Sequence, residues 1–149
     1  MLPLKEIVEY GVLGVLVLMS IVALWASFER MLFYRYIKLV LYTNKIELEM
    51  DLSKNLTLIA TIGSNAPYVG LLGTVFGIIL TFVQMGQSGA VDTSSIMTGL
   101  ALALQATAGG LLVAIPSIVF YNLLTRKSEV LVAKWEILQE QNVLMESQK

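Results

Sequence analysis

The chain contains no cysteine and no histidine. Without cysteine there is no disulfide and no thiolate. Without histidine the commonest acid/base side chain and the usual zinc ligand are missing. Charge is also scarce: 14% of the 149 residues are Asp, Glu, Lys or Arg, where a soluble domain carries about 25%. The net charge of −1 offers no bulk attraction for nucleic acid. No metal site, cofactor or enzymatic nucleophile–base pair is expected. What is abundant is apolar: 56% of residues are hydrophobic and the mean hydropathy is +0.75. That balance is typical of a membrane protein, here expected as a single all-α domain over residues 1–149.

Three stretches carry no Asp, Glu, Lys or Arg: Tyr10 to Phe28, Asn55 to Val91 and Thr93 to Thr125. A hydrocarbon core of ~30 Å needs about 20 helical residues. The first stretch fits one crossing. The other two exceed one crossing, and "NLTLIATIGSN" at the start of the second is polar enough to project into water. Three transmembrane helices follow, near residues 8–28, 64–86 and 95–117. Residues 29–63 and 118–149 extend them as helices on one side. The first span reads as a retained anchor and not a signal peptide, because Glu6 and Glu9 precede it and no small-x-small cleavage site follows.

The positive charges orient the spans. Arg30, Arg35, Lys38, Lys45 and Lys54 lie between the first and second spans, and Arg126, Lys127, Lys134 and Lys149 follow the third. The link "GQSGAVDTS" has none. Positive flanks stay cytoplasmic, so the N-terminus is expected in the periplasm and the C-terminus in the cytoplasm. Arg126 and Lys127 are placed to meet anionic lipid headgroups, and Trp25, Tyr34 and Tyr121 suit interface belts. No Gly or Pro stops the first helix before Asn44, so it is expected to continue through "ERMLFYRYIKLVLYTNK". Thr93, Ser94 and Ser95 are cap candidates for the third helix, and Pro116 predicts a kink in it. Leu124, Leu131, Trp135, Leu138 and Met145 form a seam, for another helix or for the chain's own first helix.

The segment "PYVGLLGTVFG" shows what is unusual about these spans. In steps of three and four the second span reads Gly63, Pro67, Gly70, Thr74, Gly77, Thr81. The third reads Ser95, Gly99, Ala103, Thr107, Gly110, Ala114, Ser117. Small residues let helix backbones approach in lipid, where no hydrophobic force joins them. Packing alone accounts for the glycines and alanines. The hydroxyls add something. Thr74 lies 12 residues before Gly86 and Thr107 lies 12 after Ser95, so in a hairpin both sit ~18 Å below the outer surface. Two hydroxyls at one level suit a narrow, partly wet lumen or a partner groove. Gln105 points about 160° away from Thr107, towards a different neighbour and possible inter-subunit hydrogen bonding. Glu29 and Arg30, at the membrane edge, are either interfacial anchors or a pair between subunits. No Asp, Glu or His lies in any of the three uncharged stretches that make up the spans, so a proton relay needs a carboxylate from another polypeptide.

"APYVGLLGTVFGI" followed by "GLALALQATAGGLLVAIPSIVFYN", roughly Ala66 to Asn122, resembles the ExbB/TolQ/MotA family of ion-driven stator proteins. "FER" at Phe28–Arg30 is a further match. The three-span, N-out pattern is similar to the ExbB and TolQ branches. The resemblance implies a homopentamer in the inner membrane of a Gram-negative bacterium, with the second and third helices around a pore. It implies an ExbD-like or TolR-like single-span partner whose helix carries an aspartate in that pore. It also implies a TonB-like protein through which proton flow energises outer-membrane transport. By motif position Thr74 and Thr107 match the family's pore threonines. Gly63, Pro67, Gly70, Gly77, Thr81, Gly99, Ala103, Gly110 and Ala114 line the pore or pack the helices.

Two departures from the family stand out. Many relatives have a helix-three glutamate where this chain has Leu102, with Gln105 one turn later. The connection between the first two spans is also short. A TolQ-like role in envelope integrity and a non-conducting scaffold remain the alternative readings.

Overall fold

The computed structural model describes residues 2–88 and 93–146, which are helical almost throughout. Three long helices dominate: α1 (Leu2–Tyr36), α3 (Leu56–Ser88) and α4 (Thr93–Glu146), with a short α2 (Lys45–Ser53) between the first two. Each long helix is long and apolar enough to cross a membrane. The expected turn between the second and third spans, with Asp92, falls on residues 89–92, which lie outside the described residues, as does Lys149. α4 begins at Thr93, within the expected cap cluster, and runs through Pro116 for 54 residues. α3 runs through Pro67.

The first helix stops earlier than its sequence predicts. Its last bond joins the Ile37 amide to the Phe33 carbonyl at 3.0 Å. A 3₁₀ turn follows at Leu39–Leu41. Neither glycine nor proline causes this break; tertiary packing does. Reversing the chain tucks Ile37, Leu39 and Tyr42 against a buried cluster, whereas a solitary extension would leave them in water. Asn44 then caps α2, its side chain accepting from the Ile46 amide at 2.9 Å. Leu48 and Leu52, one turn apart on α2, are fully buried. Each such side chain contributes about 2 kcal/mol of burial. Asn55 joins α2 to α3 in the left-handed region, φ 63°, which Asn tolerates better than most residues.

The core has two parts. At the polar end, Ala26 and Tyr34 of α1, Leu48 and Leu52 of α2, Leu56 and Ile59 of α3, and Leu124 and Trp135 of α4 form one cluster. The Trp135 indole N–H donates to the Tyr42 carbonyl at 2.9 Å, and Tyr42 Oη donates to Asp51 Oδ2 at 2.8 Å. Burial and the Asp51 carboxylate push the Tyr42 hydroxyl up to about 12. Leu124, Leu131 and Trp135 of the expected seam therefore serve the chain's own bundle, while Leu138 and Met145 beyond them are exposed. In the apolar part, Leu16, Ala66 and Ala114 centre a smaller cluster. Outside it, Tyr68, Leu72, Phe76, Leu104, Leu112 and Ile115 face outward. Lipid or neighbouring subunits suit such a surface, and water does not.

Candidate functional site

α3 and α4 form the most extensive pairing in the molecule, and their small residues make it possible. At Gly70 an added Cβ would come within 2.6 Å of the Ala106 carbonyl and 3.1 Å of Gly110 Cα; at Gly110 it would come within 2.6 Å of the Ala66 carbonyl. The two glycines meet backbone to backbone. Gly63, Gly77 and Gly99 continue the contact, against Ile118 with Ser117, Ala103, and Thr81 respectively. Ala103 and Ala114 are buried in the same seam, and Pro67 is half-buried beside it. The two stripes therefore face each other within one chain.

That approach brings two hydroxyls together. Thr74 Oγ1 lies 2.6 Å from Thr107 Oγ1. It also lies 2.9 Å from the Ala103 carbonyl and 3.3 Å from the Gly70 carbonyl. Thr74 is only 8% exposed; Thr107, at the edge of the seam, is half-buried. The level shared by these residues follows from their spacing, and the structure joins them directly. Thr81 bonds back to its own helix, its hydroxyl donating to the Gly77 carbonyl at 2.8 Å, a local satisfaction common for Thr in helices.

The remaining candidates fall elsewhere. Gln105 is exposed, away from the hydroxyl pair. Leu102 is half-buried and lines a small crevice of about 20 Å³ with Val12, Gly73, Gly77, Ala103 and Ala106. Every one of those neighbours is apolar, so the side chain at 102 fills space between α1, α3 and α4. Arg30, 3% exposed, is held inside its own chain. It pairs with the Glu29 carboxylate, donates through Nη1 to the Asp51 carbonyl at 2.8 Å, and lies 4.6 Å over the Phe33 ring. Asn55 Nδ2 donates to Glu29 at 2.9 Å. Glu29 itself is 36% exposed.

Sequence reasoning missed Gly73 and Ala106. A Cβ on Gly73 would meet Val12 at 2.7 Å and Ala106 Cβ at 2.8 Å, so these residues seat α1 against the other two helices. The available signal was the doubling of small residues, Gly73 beside Thr74 and Ala106 beside Thr107. Among the described residues no group of three His, Cys, Asp or Glu is placed to hold a metal ion.

Comparison with known proteins fits this arrangement. The family model described as the MotA/TolQ/ExbB proton channel family matches residues 32–137. The chain is 56% identical over 134 residues to a Helicobacter pylori biopolymer transport protein named ExbB-like 2, covering 90% of this chain and 89% of that one. It is 53% identical over 135 residues to the biopolymer transport protein ExbB of Aquifex aeolicus, covering 91% of each. The Tol-Pal system protein TolQ of Pseudomonas aeruginosa is 40% identical over 87 residues, 58% of this chain and 38% of that protein.

Proposed function

Because the chain belongs to the MotA/TolQ/ExbB proton channel family, we propose that it is an ExbB-like stator subunit of an inner-membrane proton channel. In this reading it harnesses the proton motive force for TonB-dependent transport across the outer membrane. It forms a homopentamer with the N-terminus periplasmic and the C-terminus cytoplasmic. Residues 29–63 and 118–149 lie on the cytoplasmic side. The pore receives the single span of an ExbD-like partner that carries a membrane aspartate, and a TonB-like protein takes up the energy. The basic residues flanking the spans support the orientation.

The observation that carries this reading is the Thr74–Thr107 pair at 2.6 Å. It lies in apolar stretches that contain no Asp, Glu, Lys or Arg. Hydroxyls can hydrogen-bond a proton carrier but cannot be one at neutral pH, so the titrating group comes from outside the chain. A TolQ-like role is the second reading, favoured by the shorter match to TolQ. Deleting the gene separates the two: loss of TonB-type uptake marks the first, leakage of the outer envelope the second.

The test is purification of the chain with and without the single-span, aspartate-bearing protein that accompanies it, followed by proton uptake into liposomes. Flux should appear only with both proteins. Thr107→Val should abolish it while the complex still assembles. Flux of equal rate from the chain alone would overturn the reading, intact flux in Thr107→Val would remove the hydroxyl pair from the proton path, and absence of flux even with both proteins would favour the non-conducting scaffold.

A further inference from the structure

Beyond Thr125, where the third uncharged stretch ends, α4 carries a second apolar stripe that its own bundle leaves open. Val130, Ala133 and Ile137 are exposed and fall at i, i+3 and i+7 on one face. Leu123 before them and Leu144 after them keep the seven-residue spacing and are exposed as well. At about 100° per residue this face lies opposite Leu124, Leu131 and Trp135, which pack into the chain's own cluster. The flanks of the stripe are charged and of opposite sign. Glu129 and Glu136 border it on one side, and Lys127 and Lys134 on the other. Both lysines are exposed and make no ion pair among the described residues. Glu129 and Glu136 each use one carboxylate oxygen in an exposed contact, with Arg126 and Lys45 respectively, which leaves the other oxygen open to a further cation.

We propose that this face of α4 is where neighbouring copies of the chain meet outside the membrane, parallel and side by side, with Glu129 of one copy against Lys134 of the next. This rests on the multi-copy assembly of the stator reading above. Copies inserted in one orientation run their α4 helices in the same direction. The acidic flank of one helix then meets the basic flank of the next, the kind of pairing that sets partner and direction in coiled coils. An antiparallel neighbour would bring acid to acid and base to base. The stripe thus complements a second copy of itself, in the one direction a shared membrane permits. Glu129 precedes Val130 by one position and Lys134 follows it by four, so the pair joins residues five apart in number, the usual offset between facing flanks of parallel helices. Arg126 and Glu140 stand on the stripe on either side of Ala133, which confines the apolar contact to about two turns. That is thinner than a full zipper, with its two apolar positions in every heptad. The contact therefore sets the register between α4 rods, while the lipid-embedded helices supply the rest of the assembly.

The absence of cysteine makes disulfide cross-linking of the full chain in its host membrane a clean test. Glu129→Cys and Lys134→Cys in one chain cannot close on themselves, because five residues set the side chains about 140° apart around the helix. Between copies, oxidation should give a ladder of products beyond the dimer that neither single variant gives. A second pair one heptad farther, Glu136→Cys with Gln141→Cys, reads the charges. In that background Lys134→Glu should lower the cross-linked fraction about two- to fivefold, and adding Glu129→Lys should bring it back. The proposal is overturned if the double variant gives no more product than the single ones, if the product stops at the dimer, or if it contains a different polypeptide. Failure of Glu129→Lys to restore the fraction overturns it equally. Partner-dependent proton flux from the same membranes without a ladder removes this contact and leaves the stator reading standing; a ladder without flux does the reverse.

Discussion

One face of α4 is built in two ways along its length. From Gly99 to Ser117 its buried residues are Gly99, Ala103, Ala106, Gly110, Ala114 and Ser117; from Leu124 to Trp135 they are large. α3 changes in the same direction, with Leu56, Ile59 and Ile62 buried at the polar end and Gly63, Ala66, Gly70 and Thr74 along the apolar part. The spacing is helical throughout, but the contact is different. In the apolar part, side chains are removed so that backbones touch and hydroxyls bond across. At the polar end, Leu, Ile, Tyr and Trp side chains interlock in one buried cluster. The solvent explains the difference. Lipid tails offer no hydrophobic gain for helix association, so close van der Waals contact and hydrogen bonds must suffice. Where water surrounds the bundle, burying large apolar side chains is the stronger term.

Substitutions that exchange the two strategies should break the comparison most severely. Gly70→Val and Gly110→Val place side-chain carbons against backbone that cannot move aside. Both should abolish stable assembly, seen as loss of the complex in detergent size-exclusion chromatography. At the polar end, Trp135→Ala should cost about 3–5 kcal/mol, measured by denaturant unfolding, because it empties the cluster and removes the bond to the Tyr42 carbonyl. Arg30→Ala should cost about 1–2 kcal/mol by the same measurement, less than a fully buried pair would, since Glu29 remains partly in water. Arg30→Lys should not fully rescue it, because an ammonium lacks the planar fork that serves Glu29 and the Asp51 carbonyl together. Lys45→Ala removes the exposed contact to Glu136, 2.6 Å, and should leave the melting temperature unmoved at low and high salt.

The apolar part was largely legible in the sequence. Uncharged stretches gave the three long helices, and the three-and-four spacing gave the stripes. Equal counts from Gly86 and Ser95 put Thr74 and Thr107 at one level. Periodicity could not say which way each stripe faces, because a small residue suits close packing and a lumen alike. The structure turns the glycines of both helices towards each other and leaves Thr107 at the rim. The polar end was less legible. The break at Tyr36 has no local breaker and arises from where Ile37, Leu39 and Tyr42 find cover. The left-handed Asn55 is tied through its side chain to Glu29, a contact 26 positions away in sequence. Leu124, Leu131 and Trp135 looked equally suited to a foreign helix, and only tertiary contact assigns them to their own chain.

The unbroken run of α4 has a mechanical meaning. At 1.5 Å per residue its 54 residues make a rod of about 80 Å. Thr107 sits near one end of it, and Glu146 lies nearly 60 Å farther along by the same rise. A lean of about 5° pivoting at Thr107 would sweep the far tip through about 5 Å. Slight repositioning around two hydroxyls thus becomes a displacement the size of a side chain at the other extremity, carried along one continuous helix.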